Sequence, residues 1–172
     1  MDAARLRSIQ GPIKDRYRAD AGAARITLKA KGTLDDSGIA CKVETGRALA
    51  VAGLHPATGG SGLELCSGDM LLEALVACAG VTLKAVATAL EIPIRSGTVS
   101  AEGDIDFRGT LGVAKDVAVG FAGIRLAFIV DSAAPQERLD QLLKLTERYC
   151  VVYQTLRGGV PVEARLITGL PA

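Results

Sequence analysis

The sequence has very little with which to stack on a nucleic-acid base or to hold a metal ion. Aromatic residues make up 3% of its 172 positions and tryptophan is absent, which removes the platforms that single-stranded nucleic acid needs. There is one histidine, His55, and the four cysteines, at 41, 66, 78 and 150, form no Cys-x-x-Cys pair. With His55 far from all of them in sequence, no zinc spacing results and no metal is expected. A formal net charge of +1 without any basic block argues against nucleic acid or an anionic membrane surface as a partner. The opening residues, MDAARLRSIQGPIKDRYR, hold no apolar segment of the secretory kind, so a cytoplasmic protein is expected. A static disulfide framework does not suit that compartment, which leaves each cysteine as a small packing residue or a reactive thiol.

What the sequence does have is one long apolar stretch, Cys66 to Leu90, CSGDMLLEALVACAGVTLKAVATAL. It predicts a helix from Gly68 to Leu90 with Ser67 as N-cap, Asp69 in the first turn beside the positive end of the helix dipole, and Pro93 just past the end. Between Glu73 and Lys84 its only polar side chain is Thr82, so the helix is expected to be buried all round, by its own sheet and by a second subunit. A membrane span is rejected because the charge-free run is about ten residues, where crossing needs about twenty. Cys78 lies in the middle of that run.

The length fits a single domain over residues 1–172. Residues 1–24 read as an N-terminal arm with some helical character, interrupted at Gly11-Pro12. Period-two alternation predicts strands over Arg25–Leu34, Ile39–Glu44 and Ala48–Leu54, an antiparallel meander. The glycine-rich loop from His55 to Gly62 lacks the Lys-Ser/Thr end of a phosphate-binding loop and does not run directly into the helix. His55 is therefore read as a loop residue. Strands follow over Ile94–Phe107, with a break near Gly103, and Val117–Val130, with Ile124, Leu126, Phe128 and Val130 on one face. Pro135 starts a helix carrying Leu139, Leu142 and Leu143 and stopping near Tyr149-Cys150. Val151 to Leu156 reads as a further helical segment, and Val160 to Ile167 as a closing strand. The order βββ-α-ββ-α-β is an α+β arrangement.

Cys78 and Cys150 sit in two different helices, and if they meet their chemistry is definite. A thiolate attacks a peroxide bond and becomes a sulfenic acid, and a second thiol condenses with it to give a disulfide. Burial opposes ionisation of the attacking thiol. Cys78 is also too far into its helix to use that helix's own dipole, so a nearby cation is expected.

These residues carry a family resemblance. The run Asp69 to Cys78, DMLLEALVAC, resembles the E-L-L-x-A-A-x-x-A-C helix of the OsmC/Ohr family of osmotically induced and organic-hydroperoxide-resistance proteins. Glu147-Arg148-Tyr149-Cys150 resembles its second motif, an acidic and basic pair near the resolving cysteine. The resemblance implies the OsmC-like fold as an intertwined homodimer, with Cys78 as peroxidatic and Cys150 as resolving cysteine and Asp69 as the acidic residue of the helix-start motif. It implies no cofactor beyond an external dithiol of the lipoyl type, and an organic hydroperoxide as substrate. The family's peroxidases place an arginine in the turn between the first two strands, where this chain has Asp35-Asp36; Arg47, in the next turn, is the nominated substitute. The alternative is a non-catalytic relative that binds a hydrophobic small molecule or senses oxidation.

Overall fold

The computed structural model describes residues 2–20, 23, 25, 27, 32–34, 40–44, 49–112 and 114–168, with the backbone course alone for 32–34 and 40–44. The N-terminal arm is one continuous helix, α1 (Ala3–Ala19), which runs through Gly11-Pro12. Asp2 starts it by accepting the Arg5 N–H at 2.8 Å. The meander follows as β1 (Gly32–Leu34), β2 (Ala40–Glu44) and β3 (Leu49–Gly53), paired antiparallel as expected. Most of the first expected strand, residues 26 and 28–31, lies outside the described residues. A short strand not foreseen from the sequence, β4 (Leu65–Cys66), adds to β3 in parallel and delivers the chain to the central helix.

That helix, α2 (Ser67–Ala89), begins one residue earlier than expected, with Cys66 rather than Ser67 at the N-cap. Its far end closes in a Schellman arrangement: Glu91 N–H donates to Thr88 O at 3.1 Å and Ile92 N–H to Ala87 O at 2.8 Å. The turn needs a left-handed residue, and Glu91 takes that role at φ 55.

β5 (Ser96–Ile105) and β6 (Phe121–Asp131) form a long antiparallel hairpin, with a bulge between Asp104 and Ile105. The expected break near Gly103 is this irregularity. A Cβ at Gly103 would come within 2.4 Å of the Phe121 ring, so the crossing strand requires glycine there. Between the strands, Phe107–Thr110 forms a single helical turn, α3, where a loop was expected; Asp106 caps it by accepting the Arg108 N–H. The face of β6 carrying Ile124, Leu126, Phe128 and Val130 is half-buried, as its alternation predicts. The other face carries Arg125, paired with Asp104, and Asp131, paired with Arg95.

α4 (Gln136–Tyr149) and α5 (Val151–Gly158) complete the regular structure. α2 packs against β5, α4 and α5, and its end shares a core with Leu142 of α4 and Ile92. One expectation is corrected here. The predicted closing strand Val160–Ile167 has no regular structure and its apolar side chains are exposed, Leu166 at 92%; among the described residues it pairs with neither sheet. The central helix, expected to be buried by its own sheet and a second subunit together, receives from this chain the cover of one face. Leu75, Ala79, Leu83 and Ala87 form a buried stripe at fourfold spacing, whereas Val81, on another side, is 73% exposed. One small sheet and two short helices cover one face of a helix and leave the rest open. By length and composition alone α2 could cross a membrane, a test that a buried core helix passes equally.

Candidate functional site

Cys78 lies at mid-helix in α2, half-buried, and Cys150 is the residue on which α4 ends and α5 begins. The break between those two helices is made by Cys150 itself. Its backbone is extended (φ −74, ψ 109), its N–H donates to Thr146 O at 2.9 Å, and its carbonyl accepts from Gln154 N at 2.9 Å. The side chain is thereby turned inward, 1% exposed. Thr146 packs one turn before it, also 1% exposed, with its hydroxyl satisfied by Leu142 O at 2.8 Å.

This geometry brings the two thiols close enough for each to shift the other's acidity, and the two diverge. Burial, the largest single influence on Cys78, pushes its thiol up. The Val152 N–H, the Cys150 thiol, the Val151 N–H and the Thr82 hydroxyl together outweigh it and leave Cys78 below its ordinary value. Thr82 donates its one proton to the Cys78 carbonyl at 2.8 Å, so its share at the sulfur is the smallest. Cys150 moves the other way: burial raises it and the adjacent Cys78 sulfur raises it further, against a partial offset from the Tyr153 and Val152 amides.

Among the described residues no charged side chain lowers Cys78; Arg148 lies over the Tyr149 ring at 5.6 Å. Arg47, Asp35 and Asp36 lie outside the described residues. Among the described residues the groups that lower it are the Val152 and Val151 amides with the Cys150 thiol and the Thr82 hydroxyl, and the amides are donors that no side-chain motif can announce.

Asp69 stands in the first turn of α2, nine residues from Cys78, or about 13 Å along the axis. It lines a different cleft, of about 360 Å³, with His55, Cys66, Asp104, Phe107 and Phe121. His55 accepts the Ala57 N–H on Nδ1 at 3.1 Å and stacks on Phe107 at 5.0 Å, so it is a fixed member of the loop. Gly60 in that loop faces the Leu54 carbonyl, 1.7 Å from where a Cβ would sit. The loop's glycine is thus accounted for by its own tight closure. Cys66 is half-buried in the same cleft. The side chain of Cys41, in β2, lies outside the described part. Among the described residues no cluster of His, Cys, Asp or Glu has metal-binding geometry.

A larger groove, about 760 Å³, runs between α2, β6, α4 and α5. Its floor is apolar, with Leu75, Leu83, Phe128 and Leu142, and Glu147, Tyr153 and Arg157 stand on its walls.

The family model for OsmC-like proteins matches residues 60–165, which include α2, the hairpin, α4 and both cysteines. The chain belongs to the OsmC-like family. Solved OsmC-like structures share its fold. An OsmC-like protein from Mycoplasma pneumoniae superposes with a TM-score of 0.64 at 17% identity, over 78% of this chain and 89% of that one. An organic hydroperoxide resistance protein from Elizabethkingia anophelis, with thiocyanate bound, gives 0.62 at 18% identity over 78% and 91%. A putative organic hydroperoxide resistance protein from Vibrio cholerae, with captopril in one of its active sites, gives 0.54 at 19% over 78% and 88%. No functionally curated protein matches the chain. α1 lies outside the matched OsmC-like segment.

Proposed function

We propose that this OsmC-like protein is a thiol-dependent peroxidase that reduces organic hydroperoxides. The observation that carries the reading is the Cys78 and Cys150 contact with its opposed acidities, one thiol poised as nucleophile and the other kept protonated. The Cys78 thiolate attacks the outer oxygen of the hydroperoxide, the O–O bond breaks, and the alkoxide leaves as alcohol after taking a proton. Cys78 is left as a sulfenic acid. The Cys150 sulfur then displaces that hydroxyl as water and forms the Cys78–Cys150 disulfide, which an external dithiol of the lipoyl type reduces by exchange. Asp69 and Arg47 take no step in this scheme.

The working form in this proposal is a cytoplasmic homodimer, supported by the open face of α2 and the unpaired apolar residues of 160–167. Neither nucleic acid nor a membrane is a partner in it. The test is consumption of cumene hydroperoxide with dihydrolipoamide as reductant. Turnover that disappears in Cys78→Ser is expected; equal turnover with and without Cys78 would reject the proposal. The apolar groove favours a second reading, binding of a hydrophobic small molecule without turnover. That reading requires saturable binding of such a ligand by a protein that leaves cumene hydroperoxide intact.

A further inference from the structure

Cys150 sits at a break between two helices, and a resolving thiol works only if that break is held in one geometry. We propose that Gln154 is a positioning residue for the Cys78 and Cys150 pair: its side chain ties α5 back to the end of α4 and so fixes the direction in which Cys150 meets Cys78. The inference rests on the reading of those two cysteines as a redox pair.

In an unbroken helix the carbonyl of Glu147 would accept the N–H of the residue four positions on, Val151. The extended backbone of Cys150 interrupts that ladder, and Glu147 O joins the carbonyls that a helix end leaves without an internal partner. Gln154 supplies the missing donor. Its side-chain Nε2 donates to Glu147 O at 2.8 Å, seven residues back, while its backbone N–H donates to Cys150 O at 2.9 Å. One residue of α5 thus holds the chain on both sides of the break, and Cys150 lies inside the loop so closed.

The tie matters because α5 has few other anchors. It is eight residues long, too short to persist as a helix alone, and none of its side chains is fully buried. The buried side chains at the junction, Thr146 and Cys150, precede it in the chain. A disulfide needs a particular arrangement of both Cβ atoms, and for Cys150 that arrangement follows from the angle between α4 and α5. Without the tie the two helices pivot at Cys150, and its thiol faces Cys78 for less of the time. A Cys78 sulfenic acid that Cys150 does not meet reacts with a second peroxide and goes on to sulfinic acid. Gln154 acts through Cys150 and takes no part in bond making.

The test measures closure of the pair without peroxide, in glutathione buffers. Oxidised glutathione forms a mixed disulfide on one cysteine and releases a glutathione thiol; the other cysteine then displaces the second glutathione and leaves the Cys78–Cys150 disulfide. The equilibrium constant, read by acid quench and peptide mass, reports how well the two thiols face each other. Gln154→Met removes the donor at similar length and helix propensity, and Gln154→Lys restores a donor on an unbranched stem. The position is exposed, so both variants keep the packing. A neutral hydrogen bond sets the scale: we expect a closure constant about two- to tenfold lower in Gln154→Met and a return toward the wild-type value in Gln154→Lys. With cumene hydroperoxide, Gln154→Met should also give more Cys78 sulfinic acid per disulfide formed. Equal closure constants in wild type and Gln154→Met would overturn the proposal, as would a Gln154→Lys no better than Gln154→Met, which would assign the effect to side-chain shape. The expected loss and rescue in a protein that leaves cumene hydroperoxide intact would retain the positioning role and reject the peroxidase reading alone. A wild-type chain that forms no Cys78–Cys150 disulfide in these buffers would overturn the inference together with the redox pair it rests on.

Discussion

Two neighbouring thiols do not share a proton evenly when donors outweigh burial at one and burial outweighs donors at the other. Cys78 is shifted down, so its reactive anion persists to lower pH than for an ordinary cysteine; Cys150 is shifted up, so it stays protonated beyond the ordinary value. A neutral-pH pulse of iodoacetamide should therefore label Cys78 ahead of Cys150, and labelling of Cys78 should fall as pH drops through its lowered midpoint. Equal labelling of the two at neutral pH would contradict the assignment. Removing the resolver, in Cys150→Ser, should leave Cys78 trapped after peroxide as a sulfenic acid that climbs to sulfinic acid with excess oxidant. In the proposed cycle Cys41 and Cys66 have no part. The double substitution to Ala should retain peroxide-driven oxidation of the other pair, and its loss in a folded double variant would mean the wrong thiols have been paired. At this scale the motif residues pointed to both cysteines. The main-chain amides that lower Cys78 were not legible, because every residue except proline carries the same donor.

Helix ends decide much at the scale of elements. Glu91 holds the left-handed position that closes α2, at a cost of about 1–2 kcal/mol for a residue with a Cβ. Its ion pair with Arg7, 3.5 Å long with both side chains about two-thirds exposed, recovers little. Glu91→Gly should stabilise the fold by about 0.5–1 kcal/mol in urea unfolding, less than the full cost because glycine also gains freedom when unfolded. Destabilisation would show that the Arg7 contact, and with it the seat of α1 on α2, matters more than the turn. Leu142→Ala, at a site 2% exposed in the core with Leu83, Ala87 and Ile92, should cost about 2–5 kcal/mol. A cost well below that in the same unfolding experiment would mean that α4 is not anchored there. The long periodic elements α2, α4, β5 and β6 were legible because each repeats its apolar positions over many residues. The two-residue β4 and four-residue α3 are too short for any period to show. For Val160 to Ile167 the alternation was real but its hydrogen-bonding edge is not in this chain's described structure, and pairing is a property of two strands.

As a whole molecule, the chain exposes too much of its own centre. Val81, near the middle of α2, is 73% exposed, and Val162 and Leu166 stand 86% and 92% exposed. In the proposed homodimer a second copy laid against α2 covers this surface. Val81→Glu should then convert a dimer to monomer in sedimentation at micromolar concentration, by placing a charge where burial was required. A wild-type protein that sediments as a folded monomer would contradict it. The all-round burial expected from the composition of α2 named a second subunit as part of its cover, and the single chain supplies only its own part.

The most direct test of the central claim is the product of one equivalent of cumene hydroperoxide on the fully reduced wild-type protein, read by intact mass and by mapping of unreduced peptides. The account predicts the loss of two hydrogens per chain and one new linked peptide pair, Cys78 with Cys150. An unchanged mass, or a disulfide that joins Cys66 or Cys41 instead, would contradict it.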